Sequence, residues 1–525
     1  MTSRPKFLPS ACTSSLNTHL PLSGSETWTP LIDCPANFPE ELFDTALSQL
    51  IHHPEYNSTL ILRSETVSDS TDPHGFSPSI PTIDNLHQNR CIHRKLLPRR
   101  PGRDASLEQY CTLYKTSSSA SHSVLVLTPI TSENNPLPYY HPRVFHLAFR
   151  YLDPSLPHDV KTDSGILRIE VVPLPGTPLD QNSRLFRTCL ALLDTLHRYG
   201  WGAMTNYQKR VIHDMLIPRE HYQDLYLVMR ERHKGLVDTW QEVTDPLKHV
   251  FEDIGIATYL MLLWKITFGN QEVEETNFQT GEPWKRWPRP PAGFVDLGCG
   301  NGLLTHILIS EGYEGHGIDL RERMSWKSYP SNTQNRLHVH VFNPLDFSFD
   351  KNPVFLPSGV FIIANHADEL TPWTPVLSTL CSASGYLSIP CCAWDFDARY
   401  ERSATTMFPI PKTNSVLDTD TDLERISMNN FIKTLNLGGD GSNTSGYSMY
   451  RIWLATLSVY TGWEVECETL RIPSTRNWAI IGMWRKRSRA VPQEEALKNA
   501  EEIIWNVKER AVFKPRKPEG KGDGH

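Results

Sequence analysis

The sequence predicts an α/β chain: a doubly wound domain with a parallel sheet, carried behind an N-terminal extension of mixed and helical character. Three observations predict this. Short apolar runs alternate with segments of helical period from residue 291 onward. A glycine-dense turn joins the first of those strands to the first of those helices. Ahead of them, residues 181–290 repeat apolar side chains at helical spacing, as at Leu185, Cys189, Leu192, Leu193 and Leu196.

Taken in order, residues 1–40 are rich in Ser, Thr and Pro and are expected to be disordered. Residues 41–180 read as a small mixed α/β region. A helix leads into the apolar strand Thr59-Leu-Ile-Leu62, the polar stretch 64–88 reads as a loop, and 123–127 and 165–172 read as further strands. The mainly helical region 181–290 closes on the breaker Trp284-Lys-Arg-Trp-Pro-Arg-Pro-Pro291. The doubly wound domain then spans 291–487. Its strands are Gly293-Phe-Val-Asp296, Gly315-His-Gly-Ile-Asp319, Leu337-His-Val-His-Val-Phe342, Gly359-Val-Phe-Ile-Ile-Ala364 and Gly385-Tyr-Leu-Ser-Ile-Pro390. Thr374-Pro375 is expected to be the N-cap and first residue of a helix between the last two. A polar insertion covers 403–448, a closing hairpin follows from 463–466 and 478–484, and 488–525 is a basic tail, partly helical or disordered.

Composition narrows the class. The chain has 525 residues, 39% hydrophobic, with a formal net charge of −7. It is long enough for two or three domains and too acidic overall for a continuous nucleic-acid-binding coat. Its ten cysteines show no paired metal spacing, so reduced thiols and no metal are expected. Cys391 and Cys392 are read as strand neighbours pointing to opposite faces, hence as core. No apolar run is long enough to span a bilayer, and the N-terminus has no signal-peptide pattern, so the expectation is a soluble cytoplasmic or nuclear protein without membrane contact. Three basic clusters stand out: Arg90, His93, Arg94, Lys95, Arg99, Arg100 and Arg103, read as loop-like; Arg485, Lys486, Arg487 and Arg489; and Lys514, Arg516, Lys517 and Lys521. Each reads as solvated charge unless a polyanion binds there.

The chemistry concentrates in Phe294-Val-Asp-Leu-Gly-Cys-Gly-Asn-Gly302. Gly298, Gly300 and Gly302 let the backbone turn tightly and let a ligand approach closely. The third glycine comes one residue too early for the dinucleotide spacing, and Asp296 is a poor neighbour for pyrophosphate. It suits the ammonium and sulfonium side of S-adenosylmethionine instead. Asp319 lies at the end of the next strand, where such folds place an acid against a ribose. Asn301 and Leu320, flanking these positions, complete the expected cofactor set. After the fourth strand, His366, Asp368 and Glu369 are expected to face the methyl group and its acceptor. Asp368 is placed first among them for positioning or deprotonating the acceptor. The competing reading is that an acid there caps the following helix.

With these residues assembled, the sequence resembles the eukaryotic tRNA (uracil-2′-O-)-methyltransferases that modify uridine 44 of serine tRNA. The resemblance rests on Trp240-Gln-Glu-Val-Thr-Asp-Pro-Leu-Lys-His-Val-Phe-Glu-Asp253, on 294–323, on Asn365-His-Ala-Asp-Glu-Leu-Thr-Pro-Trp373, on Pro390-Cys-Cys-Ala-Trp-Asp-Phe396 and on Leu470-Arg-Ile-Pro-Ser-Thr-Arg476. Ala367 stands where the family pattern has Ser. The resemblance covers about 185–484 discontinuously and assigns neither the first ~180 residues nor the insertion. It implies a class I (Rossmann-like) S-adenosyl-L-methionine-dependent methyltransferase domain, a cytoplasmic enzyme, and a serine tRNA as partner; protein partners are not indicated. The alternatives are a class I methyltransferase acting on another RNA, a protein or a small molecule, and a non-catalytic RNA-binding module.

Overall fold

The computed structural model describes residues 4–12, 27–117, 121–132, 136–152, 165–206, 211–269, 281–346, 355–402, 405–410, 421–438, 441–483 and 491–513. The chain divides into two compact units, 1–208 and 209–525. The helical stretch expected over 181–290 is therefore split between them.

The first unit contains β1 (Ser10–Ala11), β2 (Thr29–Pro35), α1 (Phe43–His52), β3 (Ile61–Ser70), β4 (His87–Pro98), β5 (Leu107–Lys115), β6 (Val124–Ile130), β7 (Val144–Leu152), β8 (Ile166–Pro173) and α2 (Arg184–Met204). All strands join one antiparallel sheet in the order β1-β2-β8-β7-β6-β5-β4-β3. Strand alternation explains its unbroken apolar runs. Leu125 and Leu127 of β6 pack with α1 and α2, whereas Val124 and Val126 join Trp28, Ile80 and Ile83 in a separate apolar cluster. Ser183 caps α2 by accepting from the Phe186 amide at 3.1 Å, and Leu185, Cys189, Leu193 and Leu196 form its buried face.

This unit corrects four expectations. It is an antiparallel sheet carrying two helices, not a mixed and helical extension. Residues expected to be disordered include β2, whose Leu31, Ile32 and Cys34 are buried. The loop expected over 64–88 holds most of β3, an edge strand with one neighbour, which needs no apolar alternation at its polar end. Of the first basic cluster, Arg90, His93, Arg94 and Lys95 lie on β4 rather than in a loop, and three of these four are engaged. Arg90 pairs with Asp69 at 2.5 Å and His93 with Glu108 at 3.0 Å. Arg94 is buried and donates to Gln109 and to the carbonyls of Leu50 and Ile51, capping the C-terminal end of α1.

The second unit opens with α3 (Arg219–His233) and α4 (Pro246–Phe268). Asp245 caps α4 by accepting from the Leu247 amide at 3.0 Å, with Pro246 at the position that has no amide hydrogen to lose. Then follow β9 (Phe294–Leu297), α5 (Leu303–Ser310), β10 (Gly315–Asp319), α6 (Ser331–Gln334), β11 (Leu337–Val339), β12 (Phe361–Asn365), α7 (Trp373–Leu380), β13 (Gly385–Ile389), α8 (Thr421–Thr434), α9 (Gly446–Tyr460), β14 (Glu464–Thr469), β15 (Trp478–Met483) and α10 (Gln493–Arg510). The sheet order is β11-β10-β9-β12-β13-β15-β14, parallel except where β15 runs antiparallel to both neighbours. Apolar cores cover both faces. One joins α4 and α5 to Phe294 and Phe361, the other joins α7, α9 and α10 to Val295 and Ile362.

The expected β-α alternation and closing hairpin are present, with local differences. The helix expected at Thr374-Pro375 begins two residues earlier, at Trp373, with Pro372 at its N-cap. The 3-10 turn Asp368–Leu370 runs almost directly into it, and Thr374 Oγ1 donates back to the Leu370 carbonyl at 3.0 Å. Pro375 is tolerated because first-turn amides have no intrahelical partner. The polar insertion contributes α8, and the tail contributes α10, whose Ala500, Ile503 and Val507 are buried. Residues 485–489 and 514–521, which carry the other two basic clusters, lie outside the described residues. Among the described residues no helix is long and apolar enough to cross a membrane.

Sheet topology fixes where a ligand can sit. From β9 the chain builds outward to β10 and β11, then returns to place β12 on the other side of β9. Connections leave in opposite directions there, opening a crevice beyond the carboxyl ends of β9, β10 and β12.

Candidate functional site

That crevice is a cavity of about 300 Å³. Its lining includes Asp296, Gly298, Cys299, Gly300, Asn301, Asp319 and Leu320 from the glycine turn and the strand ends, together with the loop 365–370. Sequence-predicted residues from three strand ends therefore meet in one place. Gly302 does not line it.

The turn is built by conformation. Gly298, Gly300 and Gly302 have φ of +72°, +54° and +75°, the left-handed region that only glycine occupies without strain. The Gly298 and Cys299 amides donate to the Ile318 carbonyl at 2.9 and 3.0 Å, tying the turn to β10. The Gly300 amide donates to Asp319 Oδ2 at 2.9 Å, and Trp326 Nε1 donates to the Gly300 carbonyl at 2.9 Å. Asp319 thus already orders the turn in addition to facing the cavity. Asn301 Oδ1 accepts from the Leu303 amide at 2.9 Å, so this side chain sets the entry of α5. A Cβ on Gly302 would come within 2.9 Å of Leu337, whereas one on Gly300 would meet no protein atom within 4 Å. Gly302 shapes the turn from behind; Gly300 borders open space.

Asp296 is buried in the sheet centre. Its Oδ2 accepts from Thr305 Oγ1 at 3.0 Å, while its Oδ1 is buried without a hydrogen-bond partner among the described residues. Burial, only partly offset by the Thr305 bond and reinforced by Asp319, pushes its pKa up to about 7. An orphaned carboxylate oxygen next to a cavity fits a ligand that brings a cation or a donor.

Helix α4 adds groups that the sequence reading passed over. Glu252 and Asp253 stand on its cavity-lining turn. Burial pushes the Asp253 carboxyl well above the usual carboxylate range, with Asp296 and Glu252 adding to it. For Glu252 burial also acts upward, but the hydrogen bond and charge of His366, with Ser474 and Lys248 adding to them, outweigh it, and its pKa falls. The signal available in the sequence was an adjacent Glu-Asp pair in the second turn of a helix that is apolar almost all round from Ile254 to Trp264. Arg323 and His340 also line the cavity, and the Arg323 Nε is buried without a partner among the described residues.

The loop after β12 supplies His366, Asp368 and Glu369, all at the cavity. His366 and Asp368 have φ of +55° and +48°, a costly conformation for residues with side chains. His366 Nε2 meets Glu252 Oε1 at 3.2 Å, and its Nδ1 is buried without a partner among the described residues. Asp368 does not cap α7, whose N-cap is Pro372; instead Cys391 Sγ donates to Asp368 Oδ1 at 3.4 Å. That contact corrects the reading of Cys391 and Cys392 as core. β13 ends at Ile389, Pro390 follows, and both cysteines are half-buried beyond the strand. The opposite-faces argument applies only within a strand.

A family model described as a TRM44-like, N-terminal bet v1-like domain matches residues 7–210, the span of the antiparallel unit. A second, described as a predicted AdoMet-dependent methyltransferase, matches residues 216–344, the span of α3, α4 and the glycine turn. Three similar proteins carry the name tRNA (uracil-O(2)-)-methyltransferase. That of Schizosaccharomyces pombe is 32% identical over 88% of this chain and 86% of its own. That of Neurospora crassa is 33% identical over 88% and 87%, and that of Candida glabrata 30% identical over 93% and 95%. No solved structure matches. A glycine turn at the switch point of a parallel sheet, an antiparallel unit ahead of it, and identity sustained across both place the chain: it belongs to the tRNA (uracil-O(2)-)-methyltransferase family and is an S-adenosyl-L-methionine-dependent enzyme.

Proposed function

We propose that this chain transfers a methyl group from S-adenosyl-L-methionine to the ribose 2′-hydroxyl of a tRNA uridine, namely uridine 44 of serine tRNA, in the cytoplasm. The observation that carries this reading is the convergence of the Asp296–Asp319 glycine turn and the strained 366–369 loop on one cavity. The names of the relatives support tRNA as the substrate class.

The residues fit the cofactor. Asp296, with its orphaned Oδ1, would hold the cationic methionyl end. Gly298 and Gly300 would admit it closely, Asp319 would take the ribose hydroxyls, and Leu320 would cover an apolar part. Asn301 and Gly302 would act indirectly, by fixing the turn and the start of α5. When bound, the cofactor supplies a methyl group activated by its sulfonium. His366, Asp368 and Glu369 would then orient the hydroxyl on the acceptor side, where in-line placement at about 3–3.5 Å provides much of the acceleration.

The direct test uses the full chain, labelled S-adenosylmethionine and an unmodified serine tRNA transcript. One methyl per tRNA, lost when nucleotide 44 carries a 2′-deoxyribose, is the expected result. Methyl groups that appear at another nucleotide or only on non-tRNA acceptors would overturn it.

Cofactor affinity should also depend on pH. With a pKa of about 7, Asp296 is neutral in the empty site at lower pH, and a cation binds its carboxylate form. Affinity should therefore rise about tenfold per pH unit up to about pH 7 and then level off. The same shift acts on stability with a definite sign. The unfolded carboxyl ionises near pH 4 while the folded one keeps its proton, so Asp296 makes the empty domain less stable as pH rises from about 4 to 7. Asp253 on α4, Asp319 at the end of β10 and the buried Cys299 thiol share this environment. Calorimetry from pH 5.5 to 8 should show the slope in the wild type and a flatter profile in Asp296→Asn; equal slopes would remove Asp296 from the site.

A further inference from the structure

We propose that Asp368, Cys391 and Cys392 form a binding site for one zinc ion, on the acceptor side of the cavity. The carboxylate oxygen and the two Sγ atoms all lie within 4.8 Å of one another, with Cys391 Sγ at 3.4 Å from Asp368 Oδ1. Zinc holds thiolate and carboxylate ligands at about 2.0–2.3 Å in a tetrahedron, so its ligand atoms stand roughly 3.5 Å apart. The three side chains therefore need only small rotations to share one ion.

The fold brings them together for identifiable reasons. β12 and β13 are parallel neighbours with Asn365 opposite Ile389, so the loops that follow them leave the sheet side by side. The strand stops before the cysteines, which frees consecutive side chains from pointing to opposite faces. Asp368 is held at φ +48°, a conformation that asparagine and aspartate tolerate better than most residues. Both cysteines are half-buried, which shields an ion without sealing it off.

Ligand chemistry selects the metal. Two thiols beside one carboxylate favour zinc over magnesium or calcium, which require oxygen ligands. Among the described residues no further His, Cys, Asp or Glu joins the group. The fourth position is left to a water or to an incoming oxygen, the arrangement of open zinc sites. Because Asp368 also lines the cavity, the ion would tie the acceptor loop to the β13 loop beside the place where the hydroxyl is oriented.

The test reads metal rather than methyl transfer, so it can fail independently of the proposed reaction. Full-length protein, reduced and stripped with a chelator, is titrated with zinc against a chromophoric competitor and separately with cobalt. One zinc per chain, together with thiolate-to-cobalt charge-transfer absorption, is expected. Cys391→Ser, Cys392→Ser and Asp368→Asn should each weaken zinc binding by about 10- to 100-fold or more. A circular dichroism spectrum and S-adenosylmethionine affinity matching the wild type would show that these variants remain folded. Absence of stoichiometric zinc in the folded wild type would overturn the proposal. So would unchanged zinc affinity in the Cys391→Ser/Cys392→Ser double variant.

Discussion

Gly300→Val is expected to weaken S-adenosylmethionine binding by about 100-fold or more, the equivalent of roughly 3 kcal/mol of backbone strain and steric intrusion, while the chain stays folded. Two features of the turn lead to this result. At φ +54° a β-branched residue is strained whatever surrounds it. The added side chain meets no protein atom within 4 Å, so it projects into the space that the ligand would fill instead of disrupting the core. Gly300→Ala carries the strain with a smaller intrusion and should fall between wild type and valine. Gly302→Val provides the contrast: its Cβ would press on Leu337 and Trp326, so there a drop in melting temperature should accompany the lost affinity. Calorimetry with thermal melts on all three variants separates the effects. Wild-type affinity in Gly300→Val would make the turn structural only.

Asp368→Asn is expected to lower the single-turnover rate of methyl transfer to tRNA by about 100-fold, the scale on which small misplacements of reacting groups act. Cofactor affinity should stay close to wild type, because Asp296, Gly300 and Asp319 sit on other loops of the cavity. The substitution preserves size and removes charge. It does not remove a helix cap, since α7 has Pro372 at its N-cap, so a large fall in stability is not expected. A normal rate with a lowered melting temperature would make Asp368 structural and leave His366 and Glu369 as the groups to test. Asp368→Asn and Cys391→Ser should fall together in rate if the carboxylate acts through a shared ion, and Asp368→Asn alone if it acts by itself.

The sequence by itself determined the local devices whose causes are local. The βα alternation of the second unit, the three left-handed glycines and the acids ending β9 and β10 follow from residue type and spacing, because steric freedom at glycine and the period of apolar burial act within a few residues. The antiparallel unit was much less legible. Its edge strand β3 is polar, and β2 lies in a Ser/Thr/Pro-rich stretch, so each becomes a strand only through hydrogen bonds to partners far along the chain. The first basic cluster looked free for the same reason. Nothing adjacent in sequence shows that Arg94 caps α1 or that Arg90 meets Asp69. At the site, spacing located Asp296, Asp319 and the 366–369 loop, while tertiary structure alone added Glu252 and Asp253 from a helix more than forty residues upstream of Asp296. It also ended β13 at Ile389 and so turned two cysteines from presumed core into neighbours of Asp368. Burial, pKa and convergence depend on which distant groups share a dielectric environment, and only the packed sheet decides that.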